Sequence, residues 1–161
     1  MDARKVPFEV TFQLSGNRLR AEISGVHDTW EVMLSRWMDI ADEVRRRRPA
    51  QLLVVDRMAG NPMAPGDRQR FIAALIGQGL EGVRIAYVEA HDDRIPLAES
   101  VEILARERGY AVRVFGSEAA ASVWLTNPYQ NTGVTTANLS CGSGTVACST
   151  IQFSANPNAQ P

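Results

Sequence analysis

Leu52-Leu53-Val54-Val55-Asp56 is a short, continuous apolar run closed by a carboxylate. Such a run fits a strand covered on both faces. A strand of that kind needs helices packed on its sheet, and its flanks supply them. Upstream, Trp30, Met33, Leu34, Trp37, Ile40, Ala41 and Val44 recur at helical spacing. Asp28 and Glu31 form a capping-box-like pair at the start of that helix, and Arg45-Arg46-Arg47-Arg48-Pro49 ends it. Further upstream, Phe8, Val10, Phe12 and Leu14 alternate with polar residues, and Leu19, Ala21 and Ile23 do so again. Ser15-Gly16-Asn17 lies between them as a turn, so the two segments read as a hairpin that Gly25 ends.

Downstream the pattern alternates. Gly60, Pro62, Pro65 and Gly66 mark a loop, and Phe71, Ile72, Leu75 and Ile76 predict a helix ending near Gly79. Val83 to Val88 is a second buried strand, followed by a polar loop from Glu89 to Arg94. Pro96 suits the first turn of a third helix, with Gly109 just past its end. Tyr110 to Phe115 is the last strand, and Ser117 caps a short helix from Glu118 to Leu125. The order β-β-α-β-α-β-α-β-α predicts an α/β domain with a mixed, mostly parallel five-stranded sheet.

Lys and Arg total 17 and Asp and Glu 18, a net charge of -1 that gives no bulk attraction to nucleic acid or to a membrane. No run of about 18 apolar residues offers a transmembrane segment. The start, Met1-Asp2-Ala3-Arg4-Lys5, has no apolar core of a secretory signal, so the expected compartment is the cytoplasm. From Thr126 to Pro161 there is no Lys, Arg, Asp, Glu or His, and Thr, Asn, Ser, Gly and Ala dominate. Residues 1–125 therefore read as the domain and 126–161 as a flexible, uncharged tail, with a short β-structure around Gly144 to Cys148 as the competing reading. Both cysteines, Cys141 and Cys148, fall in that tail, without a His and without zinc-ligand spacing.

Several stretches resemble the SpoIIAA-like family of small bacterial proteins, which is grouped with STAS domains and, more loosely, with CRAL-TRIO lipid-binding domains. They are Arg18-Leu19-Arg20-Ala21-Glu22-Ile23-Ser24-Gly25, Leu52 to Asp56, Val83 to Val88, and the ending from Val112 to Leu125. The last is the most specific: a strand, a capping Ser117-Glu118, then an Ala-rich turn closing on Trp124-Leu125. The resemblance covers residues 6–125 and implies a STAS-like fold. STAS proteins that antagonise anti-sigma factors carry a phosphorylatable Ser or Thr after the third strand. The matching stretch here, Asp56 to Asp67, contains neither, so the resemblance does not extend to that switch.

Ligands of open α/β sheets gather outside the carboxyl ends of the parallel strands. The loops expected there hold Asp56, Arg57, Asn61, Asp67, Arg68, Glu89, His91, Asp92, Asp93 and Arg94, the candidate partner- or ligand-binding residues. His91-Asp92-Asp93 offers donors to a metal, but adjacent loop residues seldom converge on one ion, and neither a metal nor a cofactor is expected. His27, just before the first helix, reads as part of the strand-to-helix turn. No G-x-S-x-G, no H-E-x-x-H and no cysteine within 1–125 supplies a catalytic set. Arg45, Arg46, Arg47 and Arg48 are candidate anion contacts, or simply cations matched to the negative end of a helix dipole. The stripe of Trp30, Met33, Trp37 and Met38 is core, or in part a dimer contact or a lipid-facing wall.

The leading expectation is a non-enzymatic, STAS-like regulatory domain acting on a protein partner or as a homodimer, through the first helix, the 57–67 loop and the helix after it. A second is a module that binds a small molecule or lipid, with an apolar pocket between the first helix and the sheet. A third is an enzyme built on His91 and Asp56.

Overall fold

The computed structural model describes residues 8–26, 29–60 and 63–127. Residues 128–161 of the uncharged tail, with Cys141 and Cys148, and the residues His27, Asp28 and Asn61, lie outside them. The described residues form an α/β domain with a five-stranded mixed sheet and four α-helices. The strands are β1 (Phe8–Ser15), β2 (Arg18–Gly25), β3 (Gln51–Met58), β4 (Arg84–Glu89) and β5 (Ala111–Phe115). The helices are α1 (Trp30–Arg47), α2 (Arg68–Leu75), α3 (Ile95–Glu107) and α4 (Glu118–Thr126), and short 3-10 turns at Pro65–Asp67 and Asp92–Arg94 lead into α2 and α3.

The strands lie in chain order across the sheet. β1 pairs antiparallel with β2, and β2–β3, β3–β4 and β4–β5 are parallel. Each of the three parallel steps moves one place in the same direction. Crossovers of one hand then put α1, α2 and α3 on the same face. The burial agrees: Leu19, Ala21, Ile23, Leu52, Val54 and Ile85 of the sheet share a core with Trp37 and Ile40 of α1, Phe71 and Ile72 of α2, and Ala105 of α3. The alternate residues face the other way. Leu53, Val55, Ala86 and Val88 pack under Ala121, Trp124 and Leu125 of α4. This explains the unbroken apolar run from Leu52 to Val55: successive side chains enter two different cores.

Four local readings change, the first being that α2 ends at Leu75, short of Gly79, with Ile76 extended and exposed. Thr29 caps α1, its Oγ1 accepting the Val32 N–H at 3.3 Å. β3 runs on through Met58, so Asp56 is inside the strand and 3% exposed. β4 likewise includes Glu89, which is 5% exposed and not part of a polar loop. At the other end, Ser117 caps α4 as expected, its Oγ accepting the Ala120 N–H at 3.2 Å, and the helix extends one residue further, to Thr126.

Charged side chains fasten the edges of this layer. Arg20 of β2 grips Glu118 at the start of α4 through Nε (2.6 Å) and Nη2 (3.0 Å). The carbonyl of Leu125, near the other end of α4, accepts from Gln51 (2.7 Å) and Arg84 (3.3 Å). On the helical face, Glu102 of α3 accepts the Val114 N–H of β5 at 2.6 Å. That N–H lies on an edge strand, where no neighbouring strand can take it.

Candidate functional site

A cavity of about 120 Å³ lies on the helical face, beneath α2 and between α1 and α3. It follows β4 from Ile85 to Glu89. Its walls are apolar along most of their length: Phe71, Ile72 and Leu75 from α2, Val101 and Ala105 from α3, Trp37 from α1. Trp37 stacks on Tyr87 with ring centroids 6.1 Å apart and meets the edge of Phe71 at 6.0 Å.

One end of the cavity is polar, and its groups are bonded to each other. Arg36 of α1 donates through Nη2 to Asp56 Oδ2 of β3 at 3.1 Å, and the two side chains are only 3% and 4% exposed. The Tyr87 hydroxyl donates to the same oxygen. Asp56 Oδ1 accepts the Met58 N–H at 2.8 Å. An ion pair buried to this degree is tolerated only when further hydrogen bonds satisfy the carboxylate, and both of its oxygens are satisfied here.

Glu89 stands beside this pair, opposite Asp56 in the strand register. Its Oε2 accepts the His91 N–H at 3.1 Å. Burial, and then the charge of Asp56, raise its carboxyl to about 7; the His91 N–H and the charges of Arg94 and His91 oppose that rise. The Tyr87 phenol is also pushed up, first by burial and then by Asp56. Arg94 closes the polar end, donating to the carbonyls of Met58 and Gly60.

The candidate residues read from the sequence do not form one loop cluster. Asp56, Glu89 and Arg94 line the cavity. Arg57 follows Asp56 in the strand and points to the opposite face, where its Nε meets Glu22 at 2.5 Å. Asp67 bonds to Arg70 at 3.1 Å, and Arg68, at the start of α2, is not part of the cavity wall. Asp92 and Asp93 are exposed in the turn before α3. His91 and Asp56 form no hydrogen bond; the carboxylate is taken by Arg36, Tyr87 and the Met58 N–H. His91 Nε2 is buried and has no hydrogen-bond partner among the described residues. Among the described residues, no three His, Cys, Asp or Glu side chains converge as a metal ion would require.

Arg36 and Tyr87 were not among the sequence candidates. Arg36 lies three residues after Met33 and four before Ile40, on the buried stripe of α1, and a cation at such a position calls for a buried anion. Tyr87 lies two residues after Ile85 on the helical face of β4. The four-arginine run is engaged locally. Arg45 bonds to Asp42 and to the Gln78 carbonyl, while Arg46 and Arg47 share Glu43, itself 6% exposed. Arg48 caps α1 in the left-handed region at φ 51, its N–H donating to the Val44 carbonyl at 2.7 Å. The α1 stripe is core at Met33 and Trp37, while Trp30 is partly buried under Arg70, whose guanidinium lies 3.6 Å from a ring centroid.

The fold and this cavity define an α/β domain with an apolar recess closed by a buried polar network. No protein-family model matches the chain, and no curated protein matches it. Among the described residues, no helix is long and apolar enough to cross a membrane.

Proposed function

We propose that this chain is a STAS-like binding domain that takes a small, largely apolar molecule into the recess under α1, α2 and α3 and does no chemistry on it. The observation that carries the reading is the recess itself: about 120 Å³ of apolar-walled space ending on Arg36, Asp56, Tyr87 and Glu89. Ligand sites have this form, an apolar body with a few placed polar groups. The volume limits the ligand to a compact molecule, no larger than a single ring, since a cavity of about 150 Å³ holds one benzene molecule. A long acyl chain does not fit that space, so the looser resemblance to CRAL-TRIO domains enters this proposal as a pocket and not as a lipid site.

The test is native mass spectrometry of the protein purified gently from its own host, beside the variant Ala98→Phe, chosen because Ala98 lines the recess and a ring there is expected to fill it. A small retained mass in the wild type that is lost in the variant is expected. Bare protein in both, together with unchanged thermal shifts on adding benzene-sized molecules, refutes the reading.

The second reading is the STAS-like regulatory one, in which α1, the 57–67 segment and α2 dock on a protein. The pairing of Trp30 at the head of α1 with Arg70 of α2 favours it, because Trp and Arg are the side chains that most often anchor protein contacts. A stoichiometric partner that survives replacement of Asn61, Asp67 and Arg68 together removes this reading.

A further inference from the structure

The polar end of the recess carries charges of both signs, and this limits what head group can occupy it. Arg36 reaches it from α1, Asp56 from β3, Tyr87 and Glu89 from β4, and Arg94 from the turn before α3. Glu102 of α3 also lines the recess, with Arg106 3.4 Å from its Oε1 and the Val114 N–H on its Oε2. His91 faces Glu89 through its main chain. The side of α2 turned to the recess, at Phe71, Ile72 and Leu75, carries no charge.

An anionic head would lie against Asp56 and Glu89, and a cationic head against Arg36 and Arg94. In a space with little water, either like-charge contact is costly. A neutral head avoids both. It also has an acceptor waiting: Glu89 Oε2 takes the His91 N–H, whereas Oε1 receives no hydrogen bond among the described residues. Both oxygens of Asp56 are already in use.

We propose that the ligand is a neutral molecule about the size of a single six-membered ring, and that its one hydroxyl donates to Glu89. This rests on the pocket reading above and specifies the ligand class. The apolar body sits among Trp37, Phe71 and Val101, and the hydroxyl points along β4 toward Glu89. Glu89 is then a specificity residue. It discriminates a hydroxylated ring from the bare hydrocarbon, because a bare ring covers Oε1, shuts water away from it and offers it no donor. The raised carboxyl is consistent with this, since a hydroxyl can donate to the ionised form and accept from the protonated one.

The experiment compares four probes of one size by heteronuclear NMR titration of the full chain at neutral pH: phenol, benzene, benzoate and benzylamine. Phenol is expected to bind at least about tenfold more tightly than benzene, the factor one hydrogen bond to a buried carboxyl supplies, and more tightly than either charged probe. Glu89→Leu is expected to bring phenol down to the level of benzene and leave benzene unchanged. Glu89→Gln, which keeps a carbonyl acceptor, is expected to retain the preference for phenol. Tighter binding of benzoate or benzylamine than of phenol overturns the neutral-head assignment. Equal binding of phenol and benzene, unaltered by Glu89→Leu, overturns the role of Glu89. In both cases the recess still binds and the pocket reading stands. If no probe binds wild type, and Ala98→Phe changes none of the titrations, the pocket reading falls and this inference falls with it.

Discussion

Replacing Glu89 by Gln ought to make the protein more stable in alkaline solution and nearly leave it alone in acid. Glu89 is 5% exposed, and its carboxyl is raised from 4.5 to about 7 by burial and by the charge of Asp56. A raised carboxyl is one that the folded state prefers to keep protonated. Its stabilising contribution is therefore complete below the unfolded value and is lost as the pH climbs through the folded one. With those two values, the contribution falls by about 2.5 kcal/mol between about pH 5 and pH 8.5. For a domain of this size that is a drop of about 10 °C in Tm. Gln keeps the acceptor for the His91 N–H and has no proton to lose, so Glu89→Gln ought to show a much flatter profile over the same range. Asp39, raised by burial and then by Asp42, titrates in the same sense in both proteins and cancels in the comparison. The assay is urea unfolding of wild type and variant at half-unit pH steps. Parallel profiles for the two proteins would show that Glu89 is not a desolvated carboxyl, and the electrostatic account of the polar end would be abandoned.

The buried pair gives a second test. Arg36→Met alone strands the Asp56 carboxylate and is expected to cost about 3–5 kcal/mol, whereas Arg36→Met with Asp56→Leu is expected to cost far less, read by denaturant unfolding. Tyr87→Phe removes one donor to Asp56 and ought to cost about 1–2 kcal/mol in the same assay. At the edge of the sheet, Arg20→Ala breaks the bidentate grip on Glu118; with both side chains partly exposed the loss is expected to be about 1 kcal/mol, and smaller in high salt. Gly79→Ala is expected to destabilise by at least about 1 kcal/mol, since its φ is +99 and the new Cβ would sit 2.7 Å from Arg45 Cγ. Arg48→Gly relieves a left-handed arginine at the end of α1 and ought to raise stability by about 0.5 kcal/mol, as thermal unfolding would show.

The sequence alone determined the α/β class, the five strands and the four helices, because those follow from local periodicity. Alternation placed the hairpin, and the helical recurrence from Trp30 to Val44 placed α1. The apolar run from Leu52 to Val55 marked a strand between two layers of helix. Caps were legible at Ser117, which acts on its own turn, and misassigned at α1, where the reading chose Asp28 and the cap is its neighbour Thr29. The boundaries at Asp56 and Glu89 were misread for one reason. A carboxylate looks like the end of a strand until its burial is accounted for from elsewhere in the chain: Asp56 by a cation, and Glu89 by a carboxyl pushed toward its protonated form.

That cation is Arg36, twenty residues from Asp56, and no local pattern links the two. Only the tertiary structure sets α1 over β3 so that they meet, and only the strand register sets Glu89 beside them. The same packing decided which loop residues share a site. Asp56 and Arg57 are neighbours in sequence yet face opposite sides of the sheet, because the pleat turns successive side chains apart. The recess has the same origin. It is the space left where three helices of unequal length cover one face of a twisted sheet, and its volume depends on their relative placement, to which local periodicity is blind.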